Sequence, residues 1–226
     1  MKQAPEKFKT YQDVFDEATL RLLFKLSSEG YFEELKSPIS VGKEANVFSA
    51  VKKDGSLVCV KIYRVNTADF KKMYFYISKD QRFHGLQNKR RQIIQAWAQR
   101  EFRNLLVARE AGVKVPTPYT VKSNVLVMEF FGDKEGNASP RLKEKEPVKP
   151  KNFMKEIIIN VKKMRKAGLI HGDLSEFNIL NYKEKPIIID LSHSVKLDYQ
   201  EAEYLYKRDI DNLKRYAKKF DIELEI

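Results

Sequence analysis

The sequence predicts an α+β chain folded in two lobes with a cleft between them. Three observations carry that expectation. Strand-like segments gather before residue 132 around one long helix. A stretch dense in Gly, Pro and charge, GDKEGNASPRLKEKEPVKPK, then breaks the pattern. After it come mostly helices and one small hairpin. The expected parts are residues 1–132 (a helix and a β-rich lobe), 133–151 (hinge and linker) and 152–226 (a short C-terminal lobe).

Each element has a local reason. From Asp13 to Leu35, the apolar residues Leu20, Leu23, Phe24 and Leu26 recur at helical spacing, and Gly30 offers a stop. ISVGKEANVFSAV and LVCVKIYRV are expected as strands joined by KKDGS, whose Asp54-Gly55 pair signals a hairpin. Residues 66–91 mix Phe70, Tyr74, Phe75, Tyr76 and Phe83 with basic residues and show no clean period, which points to a mobile or partly helical insert. A long helix is predicted from about Asn88 to Ala111, closed by Gly112. SNVLVMEFF is the next strand, ending at Gly132. Residues 152–167 should be helical up to Gly168. NILNY and PIIID are short strands around a Lys183-Glu184-Lys185 turn. Asp198 and Glu201 offer an N-cap and capping box for a last helix over 199–220.

Composition narrows the class. Charged residues make up 33% and hydrophobic ones 42% of the 226 residues, a globular balance. No apolar run approaches the ~20 residues of a membrane span, and MKQAPEKFKT lacks the apolar centre of a secretory signal. Cys59 is the only cysteine, so no intrachain disulfide can form, and a cytoplasmic location is expected. The net charge of +12 favours polyanionic partners such as nucleotide or nucleic acid, although a lysine-rich surface alone would look the same.

Three charged residues stand where burial is predicted. Lys61 shares a strand face with Leu57, Cys59 and Tyr63. Glu101 falls on the inward stripe of the long helix with Ile94, Trp97, Leu105 and Ala108. Asp190 ends the apolar strand PIIID. A buried unpaired charge costs several kcal/mol, so Lys61 and Glu101 are expected to pair, and Asp190 calls for a cation. In LIHGDLSEFNIL, Asp173 and Asn178 have the spacing D-x-x-x-x-N. An Asp can take or orient the proton of an attacking hydroxyl, while an Asn and a following Asp can ligate Mg²⁺ through oxygen. A lysine paired with a helix glutamate holds ATP phosphates. In SVGKEANVF a single glycine, Gly42, still lets backbone approach phosphate, with Ser40 and Lys43 as donors. Met128, Glu129 and Phe131 lie where a strand meets the linker, where backbone groups can bind adenine. His171 is expected to pack behind the loop, and His84 and His193 have no metal-ligand spacing.

These segments, GKEANVF, VKIY, WAQREFRNL, VLVMEF, PRLKE, HGDLSEFNIL and IIDLSHSV, resemble the RIO family of atypical serine/threonine protein kinases, over about Asp13 to Phe220. The resemblance implies a two-lobe protein-kinase-like fold with a truncated C-terminal lobe. IDLS in place of Asp-Phe-Gly and the glycine-poor loop fit the family, and the absence of a winged helix before the kinase part points to its first subgroup in archaeal form. It also implies ATP with Mg²⁺ or Mn²⁺ as cofactors. Lys61 would bind phosphates, Glu101 would hold Lys61, Asp173 would be the acid/base, and Asn178 and Asp190 would bind metal. Asp190 would also accept phosphate as an aspartyl-phosphate. Members act in maturation of the small ribosomal subunit and its rRNA, increasingly viewed as ATPase switches. The pre-ribosomal subunit, with no membrane, is therefore the expected partner, and a monomer the expected state.

Two alternatives use the same residues. Aminoglycoside- and choline-type kinases share H-G-D-x-x-x-x-N but build their acceptor pocket from a large helical C-terminal region, for which little chain follows Asp190. A basic RNA-binding scaffold with an inactive nucleotide site is the other; the aromatic and basic insert at 66–91 would suit it, and the intact Lys61, Asp173, Asn178 and Asp190 weigh against it.

Overall fold

In a computed structural model, residues 15–66 and 70–224 are described. The expected helix start at Asp13 and residues 67–69 of the insert lie outside them. Packing divides the chain into two units. The first holds the residues up to Ser78, Gly85–Gln99 and Pro118–Ala138; the second holds Lys79–His84, Arg100–Thr117 and the residues from Ser139 onward.

The first unit is built on an antiparallel five-stranded sheet of order β1-β2-β3-β5-β4. Its strands are β1 (Glu34–Val41), β2 (Ala45–Val51), β3 (Leu57–Tyr63), β4 (Pro118–Lys122) and β5 (Val125–Glu129). ISVGKEANVFSAV is therefore two strands, reversed at Gly42–Glu44, and β1 begins where the first helix was expected to end. β4 escaped the sequence reading because Pro116 and Pro118 look like loop residues; an edge strand tolerates a missing donor. The β2–β3 hairpin turns as expected at Asp54-Gly55, with Gly55 at φ 79° and the Asp54 carboxylate accepting from the Ser56 amide at 2.9 Å.

Strand alternation gives the sheet two faces. Phe48, Ala50, Val58, Val60, Ile62, Val125 and Val127 point to one of them, which α1 (Glu17–Ser28) covers. Asp16 caps α1 by accepting from the Thr19 amide at 2.8 Å, and Leu20, Leu23 and Leu26 form its buried stripe. Phe24, apolar at the same helical spacing, is 44% exposed. Val47, Cys59, Lys61, Leu126 and Met128 belong to the opposite face. The insert is partly helical: α2 (Phe70–Ser78) buries Met73, Tyr76 and Ile77, and the Tyr76 ring lies 6.0 Å from that of Trp97. Trp97 is on α3 (Arg90–Glu110), whose stretch to Gln99 belongs to this unit.

The second unit holds the rest of α3, α4 (Pro150–Lys166) and α5 (Ala202–Ala217), with two small ladders. Pro150 starts α4 where a missing amide hydrogen is harmless. The β7 (Ile179–Tyr182) and β8 (Lys185–Ile188) hairpin turns on Lys183 and Glu184, both at positive φ, and Asn181 steadies the turn by accepting from the Glu184 amide at 3.1 Å. β6 (Leu169–Ile170) pairs with β9 (Val195–Lys196), a ladder too short for any periodicity. Asp198 does not cap α5. Tyr199 accepts from the Ala202 amide at 2.9 Å, and the helix starts there, later than expected.

Part of the Pro- and Lys-rich stretch is an ordered strap. Leu142, fully buried, donates its amide to Ile179, and Pro140 accepts from the Asn181 amide, both at 2.8 Å. The Tyr216 hydroxyl donates to the Leu142 carbonyl at 3.1 Å. Burial, then Glu146 and Glu176, push that hydroxyl up to about 12, so it stays a donor at neutral pH.

The packing of α1 makes a direct prediction. Leu23→Ala should cost about 2–5 kcal/mol of unfolding free energy in urea titration. Phe24→Ala, one residue away on the exposed side, should stay within about 1 kcal/mol. Equal losses would contradict the assignment of faces.

Candidate active site

In the first unit, the turn between β1 and β2 is tight. The Gly42 amide donates to the Ala45 carbonyl at 3.0 Å, and a side-chain carbon at Gly42 would lie 3.0 Å from that oxygen. Close approach rather than an unusual φ is what favours glycine here. Arg64 braces the turn, donating its amide to Glu44 at 2.9 Å and its guanidinium to Gly42 at 3.3 Å. Ser40 is half-buried on β1 opposite Val47, and Lys43 is exposed at the tip. Lys61 is buried on β3 between Val47 and Leu126, with its amine 5.2 Å from the Tyr63 ring centroid. Met128 is buried on β5. Glu129 ends that strand, and Phe131 follows it half-buried.

In the second unit, Glu101 is 1% exposed on α3, with Leu105 and Ala108 buried along the same stripe. Lys61 and Glu101 thus belong to different units, and both are buried as their sequence patterns required.

The segment around Asp173 is held by α5. The buried Asp209 carboxylate accepts the Gly172 and Leu174 amides, each at 2.8 Å. Arg208 donates to the Gly172 carbonyl, and Asn212 to the Leu174 carbonyl at 3.0 Å. One turn of helix therefore satisfies both amides and both carbonyls flanking Asp173. Burial pushes the Asp209 carboxyl above the usual carboxylate range, against the pull of His171, the two amides and Arg208. Gly172 has φ 78°, and an added side-chain carbon would meet the His193 carbonyl oxygen at 2.8 Å. His171 packs behind the loop as expected: Nδ1 accepts from the Asp173 amide at 3.3 Å, so Nε2 donates to the Ile189 carbonyl at 3.0 Å. The Asp173 side chain itself is exposed.

Asn178 and Asp190 are brought together by the β7–β8 hairpin. The Ile189 amide donates to the Asn178 carbonyl at 3.0 Å. The Asn178 side-chain nitrogen donates to the Asp173 carbonyl at 2.8 Å and its carboxylate at 3.2 Å. This commits the amide nitrogen and leaves its oxygen as the metal-capable end. Ser192 donates to the Asp190 carboxylate at 2.8 Å, and Asp190 sits in the left-handed region at φ 61°, ψ 65°. Asp190 is half-buried rather than fully buried. Ser175 and Glu176, which had no expected role, shape the loop: Ser175 accepts the Asn178 amide, and Glu176 accepts the Lys143 amide of the strap, both at 3.0 Å.

Sequence reasoning missed Asp209, Arg208 and Asn212. A signal was there: Asp209 is an acid on the inward stripe of α5 beside Leu205, Ile210 and Leu213, the pattern that singled out Glu101.

With this arrangement in hand, comparison decides the family. A sequence profile of the RIO domain matches residues 46–226. The chain belongs to the RIO family. Among its relatives, the RIO-type serine/threonine-protein kinase Rio1 of Haloferax volcanii is 39% identical over 95% of this chain and 73% of its own length. The Rio1 kinase of Methanocaldococcus jannaschii is 42% identical over 92% of this chain and 71% of its own. Solved structures of similar fold include the Rio2 kinase of Chaetomium thermophilum in complex with ADP/Mg²⁺ and phosphoaspartate, at TM-score 0.69 and 23% identity; the match covers 92% of this chain and 62% of that one. That likeness is one of fold. The RIO kinase-like α+β fold expected from sequence is therefore present. Among the described residues no helix is long and apolar enough to cross a membrane.

The grip of α5 on the segment around Asp173 can be measured. Asp209→Ala leaves two buried amides without acceptors and should lower unfolding free energy by about 2–5 kcal/mol. Asp173→Ala, an exposed change, should stay within about 1 kcal/mol. A loss below 1 kcal/mol for Asp209→Ala in urea titration would contradict the role given to it.

Proposed function

We propose that the chain is an ATP-dependent serine/threonine-protein kinase and ATPase, with Asp173, Asn178 and Asp190 as its reacting set. The observation that carries this is the Asn178 side chain, bonded to Asp173 through its nitrogen and joined through its backbone to the residue before Asp190. The naming of the Rio1 relatives as serine/threonine-protein kinases supports it.

In the proposed reaction, Lys61 binds the phosphates of ATP. The turn at Ser40, Gly42 and Lys43 lies over the phosphates, and Met128, Glu129 and Phe131 take the adenine. The acceptor oxygen bonds to the γ-phosphorus as the bond to the β-phosphate oxygen breaks, releasing ADP, and the acceptor proton passes to the Asp173 carboxylate. The Asn178 and Asp190 side-chain oxygens would hold Mg²⁺, a hard cation that takes oxygen ligands. Bound there, it would supply neutralisation of phosphate charge. Asp190 as a direct acceptor would give an aspartyl-phosphate that water then cleaves. The complex of the Rio2 kinase with ADP/Mg²⁺ and phosphoaspartate supports that route by analogy of fold. Maturation of the small ribosomal subunit in the cytoplasm is proposed as the setting, supported by family membership and by the net charge of +12.

The test uses γ-labelled ATP and Mg²⁺ with and without small ribosomal subunits, comparing wild type, Asp173→Ala and Asp190→Asn. Both variants should lose on the order of 10² or more of the turnover. Acid-stable label would indicate Ser/Thr transfer, and hydroxylamine-labile label the acyl phosphate. Transfer to an aminoglycoside or choline, or nucleotide-independent RNA binding without hydrolysis, would overturn the proposal.

A further inference from the structure

Asp190 lies in the left-handed region, which few non-glycine residues enter and Asp enters more readily than most. The turn that follows it is held in place. Leu191–His193 form a short 3₁₀ turn, closed by the Ser194 amide on the Leu191 carbonyl at 3.2 Å. Two carbonyls of that turn are then captured by α3. Asn104 donates its side-chain nitrogen to Leu191 at 2.9 Å and to Ser194 at 3.1 Å, and Arg100 donates to Ser194 at 2.9 Å. Asn104 and Arg100 are both buried, Arg100 at 1% exposure.

The donors are themselves fixed from the end of the insert. The Asn104 side-chain oxygen accepts from the Arg82 guanidinium at 2.9 Å, which forces the amide to aim its nitrogen at the turn. Arg82 forks onto Asp80, at 2.6 Å to one oxygen and 2.9 Å to the other, and Arg100 approaches the same carboxylate at 3.2 Å. Burial works against ionisation of Asp80, but hydrogen bonds and charge from Arg82, then Arg100, hold its carboxyl below the ordinary range. Every member belongs to the second unit.

We infer that Asp80, Arg82, Arg100 and Asn104 are positioning residues for Asp190: they clamp the 191–194 turn and so set the affinity of the metal site. The inference rests on the metal role proposed for Asp190. Asp80 and Arg82 act on the turn after Asp190 through Asn104, so the chain uses the end of its insert to hold a metal ligand at second hand. Supporting residues of this kind typically change metal affinity by about 10–100-fold when removed.

The test titrates ADP binding by calorimetry with the full chain in EDTA, then Mg²⁺ at fixed ADP. The proteins are wild type, Asp80→Asn, Asn104→Ala and Lys79→Ala, each first checked for cooperative unfolding. Asp80→Asn keeps the side-chain shape and serves should Asn104→Ala fail to fold. The clamp predicts an Mg²⁺ midpoint raised about 10-fold or more in Asp80→Asn and Asn104→Ala. ADP affinity in EDTA should stay within about two-fold, and Lys79→Ala, whose partner Glu201 lies outside the network, should match wild type in both. An unchanged Mg²⁺ midpoint, or an equal loss of ADP affinity in EDTA, would overturn the inference while leaving the proposed function standing. Wild type that binds ADP in neither condition would overturn both.

Discussion

The Asp209 carboxylate is the constraint on which the second unit's chemistry depends. The segment around Asp173 exposes one side chain while hiding the backbone on either side of it. Gly172 and Leu174 are buried, and their amides would each cost free energy if left without an acceptor. One acid from α5 answers both, and Arg208 and Asn212 answer the carbonyls of the same residues. Asp173 is left facing outward from a backbone with no slack. The raised carboxyl of Asp209 records what burial costs, and the Coulombic and hydrogen-bond partners record what offsets it.

The second acidic loop is solved by different means. Asp190 has no helix acid beneath it. Its turn presents carbonyls, so the matching groups are donors, Asn104 and Arg100. The two loops thus use opposite chemistry for the same purpose, an acceptor where amides point inward and donors where carbonyls do. The β7–β8 hairpin ties them together, since the Asn178 carbonyl takes the amide just before Asp190. Strand, strap and helices are arranged so that three short polar side chains keep fixed backbones while remaining partly accessible.

What could be read in the sequence divides along physical lines. Lys61 and Glu101 were visible because a charge interrupts an apolar period, and both prove buried. Asp173, Asn178 and Asp190 were visible because their spacing follows the loop before the β7–β8 hairpin and the residues just after it. Asp209 obeyed the rule that exposed Glu101 to view, but its partners are backbone amides far along the chain, and amides carry no sequence label. Asn104 is hidden because its partners include backbone carbonyls far along the chain, and Asp80 because its partners are Arg82 two residues on and Arg100 on α3. β4 was masked by Pro116 and Pro118, and the β6–β9 pairing by its two-residue length. Asp198 failed as a cap because the Tyr199 carbonyl took the amide at the helix start. Phe24 shares the apolar spacing of α1 but lies on its exposed side, because Leu20, Leu23 and Leu26 already fill the buried face.

The central claim is that the backbone around Asp173 is locked by Asp209, and amide hydrogen exchange of the native chain tests it most directly. The account predicts that the Gly172 and Leu174 amides exchange only through global or near-global unfolding, as slowly as those in the centre of α5. Exchange of these two amides at the rate of an exposed loop would contradict it.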